Sequence, residues 1–196
     1  AVYSFRGGAL NVEYQQAYAA YYTADFTSDG VDDLVVVPPA TEPGALSLQL
    51  VSAREDKLAV LQSMALDERF VACTGLSLSL YGSVHALVVD GALSSGGYAS
   101  EVLRVRSGTF TTELPAQDVD VVRATTRYQA NLNAADLTGK GLVLTPQVLT
   151  GVSTLQYARR FYYVQWNNYL SESPAVQFGV FDAQYGYFVR LPQEWQ

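Results

Sequence analysis

Asp25, Thr27, Asp29, Val31 and Asp33 stand at the first, third, fifth, seventh and ninth positions of one short segment, with Gly30 at the sixth. Side-chain oxygens at that spacing, completed by the Val31 carbonyl, are what a loop needs to wrap a hard cation such as calcium. Asp32, at the eighth position, is expected to point away from an ion so held. Thr27 stands where a carboxylate or amide is more usual, which lowers the ligand charge and weakens the expected affinity. The competing reading is an Asx-type turn, in which the same carboxylates accept backbone N–H groups without an ion. A helical calcium hand is disfavoured, because position twelve is Val36 rather than a bidentate Glu, and the run Leu34 to Val37 is β-forming and closed by Pro38.

Other residues offer less chemistry. His85 is the only histidine, so histidine pairs and multi-histidine metal centres are excluded. It lies in the apolar run Val84–Val89 and no Gly-x-Ser-x-Gly accompanies it, so a packed or edge histidine is expected rather than a triad base. Glu101, Glu113, Asp118 and Asp120 are the candidate carboxylates for an acid–base pair acting on a glycan, but most read as solvated loop or edge charges. Gly91 to Gly97 lacks the spacing of a phosphate-binding loop and reads as a connection between strands. Tyr162, Tyr163, Trp166 and Tyr169 fall close together and form a candidate aromatic surface for a glycan or protein. Alternation sends Tyr162 and Val164 to one side of a strand and Tyr163 and Gln165 to the other. Cys73, the single cysteine, reads as a buried small apolar residue and excludes an internal disulfide framework.

The elements that must position these residues are strands. With 49% hydrophobic and 16% charged residues, the 196-residue chain is globular, and its apolar runs are too short to span a bilayer. A net charge of -7 argues against nucleic acid or an anionic membrane as partner.

Three similar units follow from the alternation of apolar runs and turns. The first runs from Asp33 to Pro38, across a Pro/Gly linker, through Leu46–Ala53, the charged turn 54–57 and Leu58–Met64. The second comprises Val84–Asp90, Glu101–Arg106, the turn Ser107-Gly108 and Thr109–Leu114. The third comprises Phe161–Trp166, Ala175–Phe181, the turn Asp182–Gly186 and Tyr187–Leu191. Tyr14 to Tyr22 fits either a helical stripe or a strand face, and strand is favoured because it enters the aspartate loop; residues 58 to 70 leave helix open. The expected organisation is one domain of three to four divergent repeats, at about 9–66, 67–116 and 117–196.

The segment from Ala24 to Val36 resembles the FG-GAP or VCBS repeat of integrin-like β-propellers, whose aspartate loop joins neighbouring strands. That resemblance implies an all-β fold of propeller-like blades of antiparallel strands, as a complete or an incomplete ring. Residues 131–144 look like a degenerate second copy, with Asp136 in first place, Lys140 in fifth and Leu144 in ninth. An ammonium at the fifth position repels a divalent ion and is placed to neutralise Asp136, so the turn is expected to survive there without metal.

The closing stretch from Gly186 to Trp195 resembles a segment of secreted or lipid-anchored proteins of Gram-positive, Clostridia-like bacteria, in which further strands follow. A chain continuing past Gln196 is therefore expected, as is processing before Ala1, since the one methionine is Met64. Taken together, these readings imply a non-catalytic binding or interaction module on the cell exterior, with one calcium-stabilised loop and a protein or glycan partner. The alternatives are a glycan hydrolase or lyase on the same scaffold, and a structural spacer of a surface protein.

Overall fold

The computed structural model describes residues 1–54, 57–116, 118–149 and 160–195. The centre of the expected charged turn, residues 55 and 56, lies outside the described residues. The described chain is all-β and antiparallel. It opens with a hairpin, β1 (Val2–Arg6) and β2 (Ala9–Tyr14), and continues into three four-stranded sheets. The first is β3 (Ala20–Ala24), β4 (Asp33–Val37), β5 (Ser47–Arg54) and β6 (Lys57–Ala65). The second is β7 (Phe70–Tyr81), β8 (Val84–Leu93), β9 (Tyr98–Arg106) and β10 (Thr109–Thr111). The third is β11 (Thr145–Val148), β12 (Phe161–Asn167), β13 (Ala175–Asp182) and β14 (Tyr187–Arg190). Each sheet is a meander, with strands adjacent in sequence also adjacent in space.

Both helix–strand ambiguities resolve to strand. Tyr21 and Tyr22 lie in β3, while Tyr14 ends β2, so the segment between is a bend from one sheet to the next. Residues 57–65 form β6, paired along its length with β5. Among the strands outside the expected units, β7 is the longest. Its second half alternates Leu76, Ser77, Leu78, Ser79 and Leu80, but register shifts between Phe70 and Gly75 break the pattern at its start.

The first two sheets face each other across a shared core built from Val35, Leu48 and Leu50 on one side and Phe70, Leu87 and Leu103 on the other. Each such side chain, fully buried, contributes about 1.5–3 kcal/mol. A second cluster joins Ala86, Val88 and Val102 of the second sheet to Val143, Tyr169 and Leu170, with the short helix α1 (Val121–Ala124) beside it. The third cluster, Leu132, Leu144, Val164, Trp166 and Phe181, sits on one face of the third sheet. The hairpin is inverted relative to this logic. Its register pairs Tyr3 with Val12 and Phe5 with Leu10, and all four are exposed, whereas Ser4 and Glu13 on the other face are half-buried and hydrogen-bonded to each other.

Between the second and third sheets the chain is anchored by a buried ion pair. Arg127 Nη2 lies 2.7 Å from Asp90 Oδ1, with both side chains covered. Asp90 also accepts from Ser100 Oγ at 2.5 Å and from the Ala134 N–H at 3.0 Å, while Arg127 donates to the carbonyls of Leu132 and Thr125. Burial alone would push the Arg127 pKa down, and the Asp90 carboxylate opposes that. The pair fixes residues 125–134 on β8 and β9.

Candidate functional site

The first aspartate loop joins β3 to β4, and its carboxylates turn inward on their own backbone. Asp25 accepts from the N–H of Asp29 at 3.1 Å and of Gly30 at 2.9 Å. Asp33, buried at the start of β4, accepts from Phe26 at 2.9 Å and Thr27 at 2.8 Å through one oxygen. Asp29 accepts from Val31 at 2.9 Å, while Asp29, Val31 and Asp32 are exposed. Among the described residues no three Asp, Glu, His or Cys side chains are gathered as a metal cluster. The donor set, oxygen only, fits a hard cation, and one atom of it is left over: Thr27 Oγ1 is buried without a hydrogen-bond partner. The loop also acts as a joint, since the Gly108 N–H of the β9–β10 turn donates to the Phe26 carbonyl at 2.8 Å.

The second aspartate loop keeps the turn with a single carboxylate. Asp136 accepts from the N–H groups of Thr138, Gly139 and Gly141 and from the Thr138 hydroxyl. These bonds, the Thr138 N–H first among them, hold its carboxyl down at about 2. The expected neutralisation by Lys140 is corrected: its ammonium forms none of the ion pairs found among the described residues, and backbone N–H groups do that work. Leu144, in the ninth position, is buried in the third core cluster, and a bridge between Ala135 and Leu144 closes the loop.

The aromatic surface expected from Tyr162, Tyr163, Trp166 and Tyr169 is corrected, because the four diverge. Trp166 and Tyr169 are each 3% exposed and belong to different clusters, and burial pushes the Tyr169 hydroxyl up to about 12. Tyr163 lies on the opposite face of β12, stacked on Phe178 at 5.7 Å, while Tyr162 packs against the third cluster. Strand alternation separates Tyr163 from Trp166, and Tyr169 lies beyond the end of β12.

Glu101 is also corrected. It is 8% exposed rather than solvated, and burial raises its carboxyl to about 7, although the Asp67 N–H donates to it at 3.0 Å. Glu113, Asp118 and Asp120 are exposed as expected, with Asp120 capping α1 and pairing with Arg69 at 2.8 Å. Cys73 is half-buried, and His85 is half-buried in β8 opposite Leu80 and Val105.

What Trp166 does contribute is the wall of a cavity of about 530 Å³ over β12, β13 and β14. Its floor follows the register: Trp166 opposite Gln177, and Phe181 opposite Phe188. Trp166 and Phe188 meet edge to face at 5.6 Å. The ring of Phe188 lies over Gly179, where a Cβ would come within 2.6 Å of it. Arg190 borders the floor, and the far side is the segment 131–138, including the Thr138 turn of the second aspartate loop. Two wall residues carry buried polar atoms without partners, the indole Nε1 of Trp166 and Oδ1 of Asn133. Asn131, Asn133, Gln177 and Arg190 escape a reading by motif, because the cavity is assembled from strands far apart in sequence. The signal within reach was alternation, which puts Phe188 and Arg190 on one face of the closing stretch.

Compared with known proteins, the chain matches no family model, no curated protein and no solved structure.

Proposed function

We propose that this chain is a non-catalytic binding module of the cell exterior, secreted or lipid-anchored, whose three sheets are propeller-type blades and whose binding site is the cavity on the third sheet. One observation carries the reading. Trp166 Nε1 and Asn133 Oδ1 are buried polar atoms without partners in the wall of the same cavity. Leaving such groups unpaired costs about 1–3 kcal/mol each, a cost that a bound ligand with matching groups removes. Support for the blade reading comes from the meander order of each sheet and from the face-to-face core of the first two.

Calcium enters the proposal at the first loop alone. Asp25, Thr27, Asp29, Asp33 and the Val31 carbonyl would hold it, and the unpaired Thr27 Oγ1 supports that assignment. A bound ion would tie the loop ends together and offset carboxylate repulsion, which couples binding to stability.

The rival reading, a glycan hydrolase or lyase, has Glu101 in its favour as a carboxyl raised to about 7. That carboxyl is covered, however, and does not line the cavity. The test is a paired glycan and peptide array, followed by turnover assays on every hit. Retained ligand without turnover, lost in Gln177→Ala, is the expected result; turnover would transfer the site to the rival reading.

A further inference from the structure

We infer that the cavity on the third sheet takes an acidic carbohydrate, a sugar ring bearing a carboxylate. This rests on the binding-module reading and names its ligand class. In a chain of net charge -7, Arg190 is the one charged residue among the described residues that line the cavity. Its guanidinium offers a planar fork that matches a carboxylate through two parallel hydrogen bonds.

The polar atoms narrow the class further. Trp166 Nε1 can donate alone, and Asn133 Oδ1 can accept alone. A ligand that satisfies both must supply an acceptor and a donor, which sugar hydroxyls do because each hydroxyl plays both roles. Sulfate supplies acceptors alone and would leave Asn133 unanswered. An apolar ligand would leave both. Both atoms are covered by the wall itself, so pairing requires wall side chains to shift as the ligand enters.

Shape separates a sugar from an acidic peptide. An extended peptide docks by adding a strand at a sheet edge, whereas this cavity opens on the face of β12–β14, over the pairs Trp166–Gln177 and Phe181–Phe188. At about 530 Å³ it has room for one or two rings, and the half-buried Phe188, held edge to face by the buried Trp166, offers apolar ring surface to the C–H face of a sugar.

The test is isothermal titration of the intact chain with a galacturonic acid disaccharide, its neutral galactose counterpart and a tetraglutamate peptide. The acidic disaccharide is expected to bind about tenfold or more tightly than the neutral one, an advantage lost in Arg190→Gln and partly kept in Arg190→Lys. Arg190 is exposed, so both variants should fold, and matched thermal midpoints check this. Equal binding of the neutral disaccharide, unaffected by Arg190→Gln, overturns the acidic class while leaving the module reading standing. Binding of tetraglutamate alone does the same. Failure of every probe here, together with a blank array, would overturn both.

Discussion

The two aspartate loops share a turn and differ in what surrounds it. In the first, three carboxylates divide the backbone N–H groups among them, and the Thr27 hydroxyl is left without a partner. In the second, Asp136 alone gathers three N–H groups, and the hydroxyl of Thr138 donates to it as well. The first loop docks on the β9–β10 turn and joins two sheets, while the second hooks to the end of β7 through the Leu80 N–H and Gly141 carbonyl and forms the rim of a cavity. The turn is therefore a property of one aspartate and a few N–H groups. The cavity rim is one use of it, and the calcium site proposed for the first loop would be another.

The largest loss is expected where the second loop is anchored. Asp90→Ala strands the buried Arg127 and removes the acceptor of the Ala134 N–H, and should cost about 3–5 kcal/mol in urea unfolding. The double variant Asp90→Ala/Arg127→Met should recover much of that loss, since no uncompensated charge stays buried. A double variant no better than the single would mean that the pair does not anchor residues 125–134.

In the first loop, Asp33→Ala leaves the N–H groups of Phe26 and Thr27 without their acceptor and should cost ~3 kcal/mol. Asp33→Asn keeps an acceptor and should cost less. No such position exists in the second loop, where Leu144 contributes to the core instead.

Titration separates a carboxylate that gathers several N–H groups from a buried one that receives a single N–H. Burial raises Glu101 in the fold to about 7, so the folded state binds the extra proton and stability falls as pH rises from the ordinary carboxylate range through 7. Glu101→Gln should flatten that slope and gain up to about 3 kcal/mol at pH 8. Asp136 behaves in the opposite sense. Held at about 2, it contributes stability that is present above its unfolded pKa and lost as pH falls toward 2. Carbon-detected NMR titration of the two carboxyls should give midpoints on opposite sides of the usual carboxylate range.

Much of the fold was legible because strands and turns alternate plainly in this chain. The meander of Asp33–Met64, the hairpin Glu101–Leu114 and the strands after Phe161 all lie where the apolar runs place them. The bulged start of β7 was not legible, since a register shift moves alternating residues to the wrong face. At the sites, the aspartate spacing announced both turns but not the N–H partners, which depend on local backbone geometry. The aromatic cluster misled for a physical reason. Proximity in sequence says nothing of face, and alternation sent Trp166 inward while Tyr163 stayed on the other side. The Asp90–Arg127 pair and the cavity needed tertiary contacts between distant segments.

Both loops keep the same turn without metal, and the proposed ion serves the first alone. Thermal melts in calcium and in chelator test it most directly, on the wild type, on Thr27→Val and on Asp136→Asn. At a hundredfold excess over the dissociation constant, calcium should raise the wild-type and Asp136→Asn midpoints by about 5–10 °C, and Thr27→Val should lose most of that rise. A wild-type midpoint that is the same in calcium and chelator, or a rise that vanishes in Asp136→Asn instead, would contradict it.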